Sequence, residues 1–272
     1  MIYGAKSPGS KLAAMTIYMH GAARAAQELP MTEAERKARV ELAACYRIFD
    51  MLGWTEMIFN HITLRVPGPE PRFLINPFGL HYREVTASSL VLIDLEGNVL
   101  RESKWPINRA GFVIHSAIHG AVSHAHCVMH THTTNGVAVS CLKGGLSSDN
   151  FYGAMLHGRV AYHDLQGVTV DLAERESLVR DLGDRQVMIL RNHGLLSWGR
   201  NIAEAYLRLW TLQRACDVQI AAAQAGGEIN RLSAPVIERM LGESGAGEER
   251  TCQDVFTALV RLVDARDPSY RD

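Results

Sequence analysis

The most informative segment of this chain is Cys127-Val128-Met129-His130-Thr131-His132. Three apolar residues lead into two histidines separated by a threonine, which is typical of a strand that leaves a core and ends at the rim of a cavity. Residues i and i+2 of a strand point to the same face, so the two imidazoles project side by side. Two nitrogens placed in this way can occupy two positions around one divalent ion. An isolated pair would fit an exposed strand face better, and it is the apolar run before this pair that favours the cavity.

A second histidine follows another apolar run. Val187–Leu190 is typical of a buried strand, and Asn192-His193-Gly194 follows it as a turn in which the glycine permits a sharp change of direction. Alone, His193 would fit a hydrogen-bonded turn residue. Together, the two strand ends predict a three-histidine metal centre of His130, His132 and His193 with an open position, as in catalytic rather than structural sites.

Strands and helices alternate along the rest of the chain. Thr32 and Glu35 predict a capping box for a helix that ends at Gly53. Apolar periodicity and turn residues predict strands His61–Val66, Arg72–Ile75 and Leu90–Asp94, and helices Ala110–Gly120, Asp171–Leu182, Ile202–Ala225 and Cys252–Ala265. Mixed elements in this order predict a layered α/β/α domain.

Composition excludes several classes of protein. The 272 residues include 28 Lys+Arg and 29 Asp+Glu, so a net charge of −1 offers no broad basic surface for nucleic acid. No apolar run reaches the roughly 18 residues of a membrane span, and no secretory signal is evident. Five scattered cysteines without CxxC spacing are expected to be reduced. We therefore expect a soluble cytoplasmic protein that binds neither nucleic acid nor membranes.

These stretches resemble the class II aldolase/adducin family. Its hallmark is a histidine strand like Met129–Thr133, followed later by a turn like Leu190–Leu196. Further matching stretches, in the same order, are Asn60–Arg65, Ile75–Leu80, Leu90–Gly97 and Ala161–Asp164. The resemblance implies a family domain at 31–225, while missing periodicity predicts an N-terminal arm at 1–30 and the apolar spacing of the last helix predicts a C-terminal helical extension at 226–272. The resemblance also implies a three-layer α/β/α fold with a central, mostly antiparallel sheet, assembled as a homotetramer.

The resemblance implies a metal-dependent reaction. In catalytic members, the histidines that match His130, His132 and His193 hold zinc or a similar ion. That ion binds a substrate carbonyl and hydroxyl and stabilises an enediolate as a Lewis acid. We expect Zn²⁺ here, with Mn²⁺, Co²⁺ or Fe²⁺ as alternatives, because three-histidine sites accept several metals.

The chain departs from the sugar-phosphate aldolases at their acid/base. Those enzymes carry a glutamate four residues before a histidine, and alignment of that histidine on His115 places Gly111 where the glutamate should be. His115 lies one helical turn from Gly111 on the same face, so it could replace the glutamate as acid/base or as a fourth ligand. A buried histidine bonded to backbone is the alternative for His115.

The phosphate-binding positions differ as well. Arg109 and Ala110 replace two serines, Asn76-Pro77-Phe78-Gly79 replaces the phosphate loop, and His61 stands where those aldolases have asparagine. Missing hydroxyls remove hydrogen-bond partners that a phosphate needs. We expect substrate-binding residues at Arg109, Asn76, Gly79 and His61, with Arg109 meeting a carboxylate unless it forms only a surface ion pair.

The first expectation for function is a metal-dependent lyase. It would cleave a carbon–carbon bond, by aldol cleavage or decarboxylation, in a non-phosphorylated hydroxy- or keto-carboxylic small molecule, through a metal-stabilised enolate. A non-haem iron oxygenase on the same scaffold is an alternative, which metal identity and oxygen consumption would distinguish. A non-catalytic, adducin-like interaction protein is the third, favoured by the missing glutamate and disfavoured by the lack of a long basic tail.

Overall fold

A computed structural model describes residues 30–167, 174–243 and 248–272 of the chain. The predicted arm at 1–30 lies outside these residues except for Pro30, and so does the predicted helix start at Asp171. All five cysteines lie within the described residues and are unpaired, as expected.

Seven strands form one sheet in the described part of the chain. They are β1 (His61–Val66), β2 (Arg72–Ile75), β3 (Val91–Ile93), β4 (Cys127–Thr131), β5 (Val160–His163), β6 (Val187–Leu190) and β7 (Gly194–Gly199). Their order across the sheet is β3-β2-β1-β4-β7-β6-β5. The β5–β6 pair is parallel and the others are antiparallel, which confirms the mostly antiparallel sheet.

Helices cover both faces of this sheet. They are α1 (Glu33–Leu52), α2 (Arg109–Ala121), α3 (Thr134–Ser140), α4 (Phe151–Met155), α5 (Glu174–Leu182), α6 (Ile202–Gln224), α7 (Ala234–Glu243) and α8 (Glu248–Arg266). One core joins α1, α6 and α8 to one face, and smaller cores join α2 and α5 to the other. The three-layer α/β/α fold is thereby confirmed.

Strand β4 shows how the sequence assigns side chains to these faces. Cys127 and Met129 enter the core under α1 and α6, whereas Val128 enters the core under α2 and α5. Side chains alternate along a strand, so His130 lies on the same side as Val128. Across the β1–β4 ladder, the partner of His130 is His61. Two histidines of neighbouring strands therefore face α2 together.

Helix α1 begins and ends where the sequence predicts. The hydroxyl of Thr32 accepts a hydrogen bond from the N–H of Glu35 at 3.1 Å, and Gly53 ends the helix with φ +73°. The second hydrogen bond of the predicted capping box, from the N–H of Thr32 to the carboxylate of Glu35, is wrong. That carboxylate binds the guanidinium groups of Arg39 and Arg101 instead. That carboxylate is buried, so two cations stabilise it better than one backbone N–H.

The end of the chain packs against α1. Arg47 on α1 donates a hydrogen bond to the carboxylate of Asp267 at 2.7 Å. The N–H of Ala87 donates to the carbonyl oxygen of Tyr270 at 2.8 Å, and the ring of Tyr270 is fully buried. Part of the segment 226–272 therefore belongs to the same core as α1.

Four elements have no counterpart among the sequence predictions: α3, α4, β5 and α7. Helices α3 and α4 span only seven and five residues, which is too short for a helical apolar period to show. Helix α7 has no buried residue, but Val236, Ile237, Met240 and Leu241 recur at helical spacing, so its apolar stripe was available in the sequence and was missed.

Candidate metal centre

Three imidazoles meet where β4 ends and β7 begins. The Nε2 atom of His132 lies 2.7 Å from Nε2 of His130 and 3.0 Å from Nε2 of His193. The structure thus brings the three predicted ligands together, and we call them the histidine trio. Among the described residues, they form the one group of three or more ligand side chains whose ligand atoms all lie within 4.8 Å of one another.

A backbone carbonyl fixes the ring of His130. Its Nδ1 lies 2.9 Å from the carbonyl oxygen of Leu195. A carbonyl oxygen only accepts, so Nδ1 carries the proton and Nε2 keeps its lone pair. Metal-bound histidines usually donate their second ring nitrogen to a carbonyl or carboxylate in this way. Nε2 of His130 therefore faces the other two rings with its lone pair and could bind a metal ion.

The turn that carries His193 depends on two backbone features. Asn192 has φ +58°, in the left-handed region that asparagine tolerates better than most residues. A Cβ on Gly194 would lie 2.3 Å from the carbonyl oxygen of Thr131 and 3.2 Å from the ring of His130. The missing side chain at Gly194 therefore lets β7 approach β4 closely enough for His193 to complete the trio.

Asn60 ties the end of β4 to the start of β1. Its Oδ1 accepts a hydrogen bond from the N–H of His132 at 2.9 Å, and its Nδ2 donates to the carbonyl of Trp54 at 2.8 Å. This amide holds the backbone of His132 at the point where it leaves the sheet. Sequence reasoning missed that role, since the available signal was only the position of Asn60 directly before His61.

Burial keeps the trio neutral. It lowers the pKa of His193 to about 4, helped by the nearby charge that His132 would carry, and it lowers the pKa of His132. Burial also lowers the pKa of His130 well below its ordinary value, with the other two rings adding to the effect. At neutral pH each ring therefore offers a lone pair, as metal binding requires.

The nitrogen positions fit a divalent ion. Lone pairs 2.7 to 3.0 Å apart repel unless a proton or cation lies among them. Ligands about 2.0–2.1 Å from a tetrahedral ion lie about 3.3 Å from one another, close to the separations here. Neutral imidazoles suit zinc, iron, cobalt and manganese, with zinc the common choice.

His61 and His115 lie beside the trio in an order that the sequence does not reveal. The ring centroid of His61 is 5.0 Å from that of His130. His115 lies behind His61, with its Nε2 2.9 Å from Nδ1 of His61 and its Nδ1 2.7 Å from the hydroxyl of Thr63. His115 is fully buried and both its nitrogens are engaged. His61 therefore lies between His115 and the trio, and a direct role of His115 on substrate or metal stays a prediction.

The ring of His61 explains why position 111 is a glycine. A Cβ on Gly111 would lie 2.2 Å from Cδ2 and 2.4 Å from Nε2 of His61. The His61 ring occupies the space that any side chain at position 111 would need, which is where the sugar-phosphate aldolases carry their glutamate. The two departures from the aldolase pattern are therefore one coupled change.

The other predicted substrate-binding residues lie after β2 and at the start of α2. Asn76 is buried, with Oδ1 3.0 Å from the hydroxyl of Tyr46, while its Nδ2 has no hydrogen-bond partner among the described residues. Gly79 has φ +113°, and the ring of Trp105 lies 3.4 Å from where its Cβ would be. The side chain of Arg109 lies outside the described residues. Substrate binding by all three stays a prediction.

Two further polar residues behind His115 were missed. The hydroxyl of Thr63 lies 2.7 Å from Nδ1 of His115 and 2.7 Å from Nε2 of His119. Nδ1 of His119 lies 2.7 Å from the carbonyl oxygen of Ala125. Spacing was the available signal, because Thr63 follows His61 by two residues in a strand and His119 follows His115 by four in a helix.

Comparison with known proteins identifies the family. The family model described as the Class II Aldolase and Adducin N-terminal domain matches residues 40–220. The chain belongs to this family. A putative aldolase class 2 protein from Caulobacter vibrioides is 45% identical over 89% of this chain and 95% of its own length. Rat alpha-adducin is 43% identical over 89% of this chain but only 35% of its own length.

Solved structures agree with this class II aldolase/adducin assignment. An aldolase II superfamily protein from Pseudomonas syringae superimposes with a TM-score of 0.83, at 44% identity, over 89% of this chain and 97% of its own. An L-fuculose 1-phosphate aldolase from Glaciozyma antarctica gives 0.77 at 29% identity, over 90% and 97%. Within the described ranges, none of the helices combines the length and the apolar character needed to cross a membrane.

Proposed function

We propose that this chain is a metal-dependent lyase that cleaves a carbon–carbon bond in a non-phosphorylated hydroxy- or keto-carboxylic substrate, by aldol cleavage or decarboxylation. The observation that carries the proposal is the convergence of three Nε2 atoms at one end of the sheet. A domain that served only as a scaffold would not need three buried or half-buried imidazoles whose lone pairs meet, because such rings repel without a cation.

The trio would hold the metal. His130, His132 and His193 are the proposed ligands, and Zn²⁺ is the first candidate, before Mn²⁺, Co²⁺ or Fe²⁺. Three protein ligands leave open positions at which substrate oxygens can bind. A divalent ion in this place supplies Lewis-acid chemistry, drawing negative charge from adjacent substrate oxygens as the bond breaks.

The segment after β2 favours a substrate without phosphate. The N–H of Phe78 already donates to the carbonyl of Pro106 at 2.8 Å, so this amide is not available to an anion. Aromatic rings border the same segment: the centroid of Phe59 lies 6.4 Å from that of Phe78, and Trp105 covers Gly79. Phosphate sites need several N–H or O–H donors, and this segment offers apolar surface instead.

The remaining roles follow from position. His61 lies next to the ligands and is the residue proposed to contact substrate, with His115 holding it in place. Arg109, at the start of α2, stays the candidate for a substrate carboxylate. Asn76 offers a buried amide nitrogen without a partner in the described residues.

A substrate screen tests the proposal. The zinc-loaded protein is incubated with a panel of hydroxy- and keto-carboxylic acids, and release of aldehyde, keto acid or carbon dioxide is followed. We expect turnover of at least one acid, none with L-fuculose 1-phosphate, and none with His193→Ala protein. Turnover of the sugar phosphate alone would contradict the proposed substrate class. Iron in the purified protein, with oxygen consumed, would indicate the oxygenase instead.

One observation favours a second function. Rat alpha-adducin is 43% identical to this chain, against 45% for the bacterial relative, and position 111 is a glycine in place of the aldolase carboxylate. On this alternative the chain is an interaction domain. It predicts no turnover of any acid in the screen and partner binding that is unchanged by a chelator.

The proposed assembly rests on the resemblance, and the proposed location rests on the composition of the chain. We propose a homotetramer in the cytoplasm that binds a small molecule, and neither nucleic acid nor membrane. Sedimentation of the purified protein tests the assembly, and a monomer at micromolar concentration would contradict it.

A further inference from the structure

A continuous line of buried polar groups runs from the edge of the metal centre along the inner face of α2. Its members are His61, His115, Thr63, His119 and the carbonyl oxygen of Ala125. In that order, the four contacts measure 2.9, 2.7, 2.7 and 2.7 Å between nitrogen or oxygen atoms. We call these five groups the imidazole relay. Every contact is short enough to be a hydrogen bond, so each must contain one hydrogen.

The three imidazoles of the relay are neutral. His61, His115 and His119 are each at most 5% exposed. Burial lowers the pKa of His119 to about 3 and the pKa of His115 well below the ordinary range, and His61 is bonded to His115 rather than to a carboxylate. Each ring therefore carries a single N–H, which leaves its other nitrogen as an acceptor.

The carbonyl oxygen at the far end determines where each hydrogen lies. The carbonyl of Ala125 only accepts, so His119 donates from Nδ1 and its Nε2 must accept from the hydroxyl of Thr63. That hydroxyl has no second hydrogen, so Nδ1 of His115 donates to it. Nε2 of His115 is then an acceptor, and Nδ1 of His61 donates to it.

The hydrogens of the relay are all used in this arrangement. Three ring N–H groups and one hydroxyl supply four hydrogens, and the four contacts consume them. The reverse polarity is impossible, because it would set the lone pair of His119 Nδ1 against the oxygen of Ala125. No hydrogen remains for Nε2 of His61.

We propose that the relay fixes the tautomer of His61, so that this residue presents an unprotonated Nε2 as a hydrogen-bond acceptor at the edge of the metal centre. His115, Thr63 and His119 are positioning residues that act through His61. The absence of a side chain at Gly111 leaves the space that the ring of His61 occupies.

Nε2 of His61 faces the position of Gly111, where the aldolases carry their glutamate. The two nitrogens of an imidazole point away from each other, so Nε2 faces away from His115. It lies 2.4 Å from where a Cβ of Gly111 would be, at the place of the aldolase glutamate. Within the described residues, Nε2 of His61 has no hydrogen-bond partner. If the proposed lyase function holds, this atom suits a substrate hydroxyl, which can donate to it, better than a carbonyl or carboxylate.

Nitrogen NMR of the metal-free protein tests the relay. The full chain, labelled with ¹⁵N-histidine and treated with a chelator, is recorded in long-range ¹H–¹⁵N spectra at neutral pH. Signals are assigned by their loss in His61→Asn, His115→Asn and His119→Asn proteins. We expect pyrrole-type Nδ1 and pyridine-type Nε2 in all three histidines. This is the less favoured tautomer of a free histidine side chain. A histidine without the relay would be expected to carry its proton on Nε2 instead.

Variants of two buried threonines separate the relay from general packing effects. Thr63→Val removes the hydroxyl at nearly constant volume, and we expect His61 to lose its single Nδ1–H tautomer. Thr63→Ser keeps a hydroxyl, so His61 should keep its single Nδ1–H tautomer in this variant. Thr131→Val is the matched control, because the buried hydroxyl of Thr131 has no hydrogen-bond partner in the part of the chain that the structure describes, and this variant should leave the His61 spectrum unchanged.

Two results would overturn the proposal: a protonated Nε2 on His61 in the wild-type protein, or an unchanged His61 tautomer in Thr63→Val protein. Both are read without metal or substrate. Failure of the protein to bind metal or turn over an acid would refute the lyase function and leave the relay intact, so the two failures are distinguishable.

Discussion

Replacing Gly111 with alanine tests the coupling between this position and His61. In an exposed helix interior, glycine to alanine stabilises by about 1 kcal/mol, because alanine loses less backbone entropy on folding. At Gly111 the new methyl group would lie 2.2 Å from Cδ2 of His61, far inside van der Waals contact. His61 is 3% exposed and bonded to His115, so its ring has little freedom to move away.

The expected cost follows from overpacking. Extra methyl groups in a well-packed interior cost about 1–3 kcal/mol, which offsets the helix gain or exceeds it. We therefore expect Gly111→Ala to change the free energy of unfolding by between about 0 and −2 kcal/mol. In a His61→Ala background the clash disappears, and the same substitution should stabilise. The coupling energy of this double-mutant cycle should reach about 1–3 kcal/mol.

Urea unfolding of the metal-free protein at one fixed concentration measures these differences. Gly120→Ala is the matched control, since Gly120 lies in the same helix and a Cβ there would meet nothing within 4 Å. It should stabilise by up to about 1 kcal/mol whether or not His61 is present. Equal gains from Gly111→Ala and Gly120→Ala in the presence of His61 would refute the reasoning, because the ring would then not fill the space at position 111.

Two further predictions concern pH and metal affinity. The pKa of His119 is lowered by burial from 6.5 to about 3, so below pH 6.5 the unfolded state takes up a proton that the folded state refuses. Stability should fall by about 1.4 kcal/mol per pH unit for this group as pH falls from about 6.5 toward 3, and urea unfolding of His119→Gln should show a shallower slope. Asn60→Ala removes the acceptor for the N–H of His132 and should weaken zinc binding about 10- to 100-fold in chelator competition. Unchanged affinity would show that Asn60 does not hold this ligand in place.

The convergence of the histidine trio was predictable because its determinants are local. The apolar run before His130 indicates a strand, and a two-residue repeat puts His130 and His132 on one face. Gly194 directly after His193 marks a turn at the next strand end. These patterns need no knowledge of how distant segments pair, and the structure brings the three rings together.

The roles of His61 and His115 could not be predicted in the same way. The helical spacing correctly put His115 and Gly111 on one face of α2. It could not show that β1 pairs with β4 so that His61 lies opposite His130, between His115 and the centre. Register between strands far apart in the sequence depends on the whole sheet. The one available hint was that a histidine and a glycine depart from the aldolase pattern together.

Competition for the carboxylate of Glu35 explains why only one of the two hydrogen bonds of the predicted capping box forms. Glu35 has the right spacing to return a hydrogen bond to Thr32, but the fold brings Arg101 to a carboxylate that Arg39 already binds. Since the carboxylate is buried, the charged partners win. A pattern within four residues could not reveal an arginine 66 positions away.

Metal content of the protein as purified tests the central claim most directly. Plasma mass spectrometry is run beside a His130→Ala/His132→Ala control, which removes two of the three converging nitrogens. We predict about one zinc, manganese or cobalt ion per chain in the wild-type protein, and loss of that ion in the control. No bound metal in the wild-type protein, even after reconstitution with zinc, manganese, cobalt and iron, would contradict the proposed metal-dependent function.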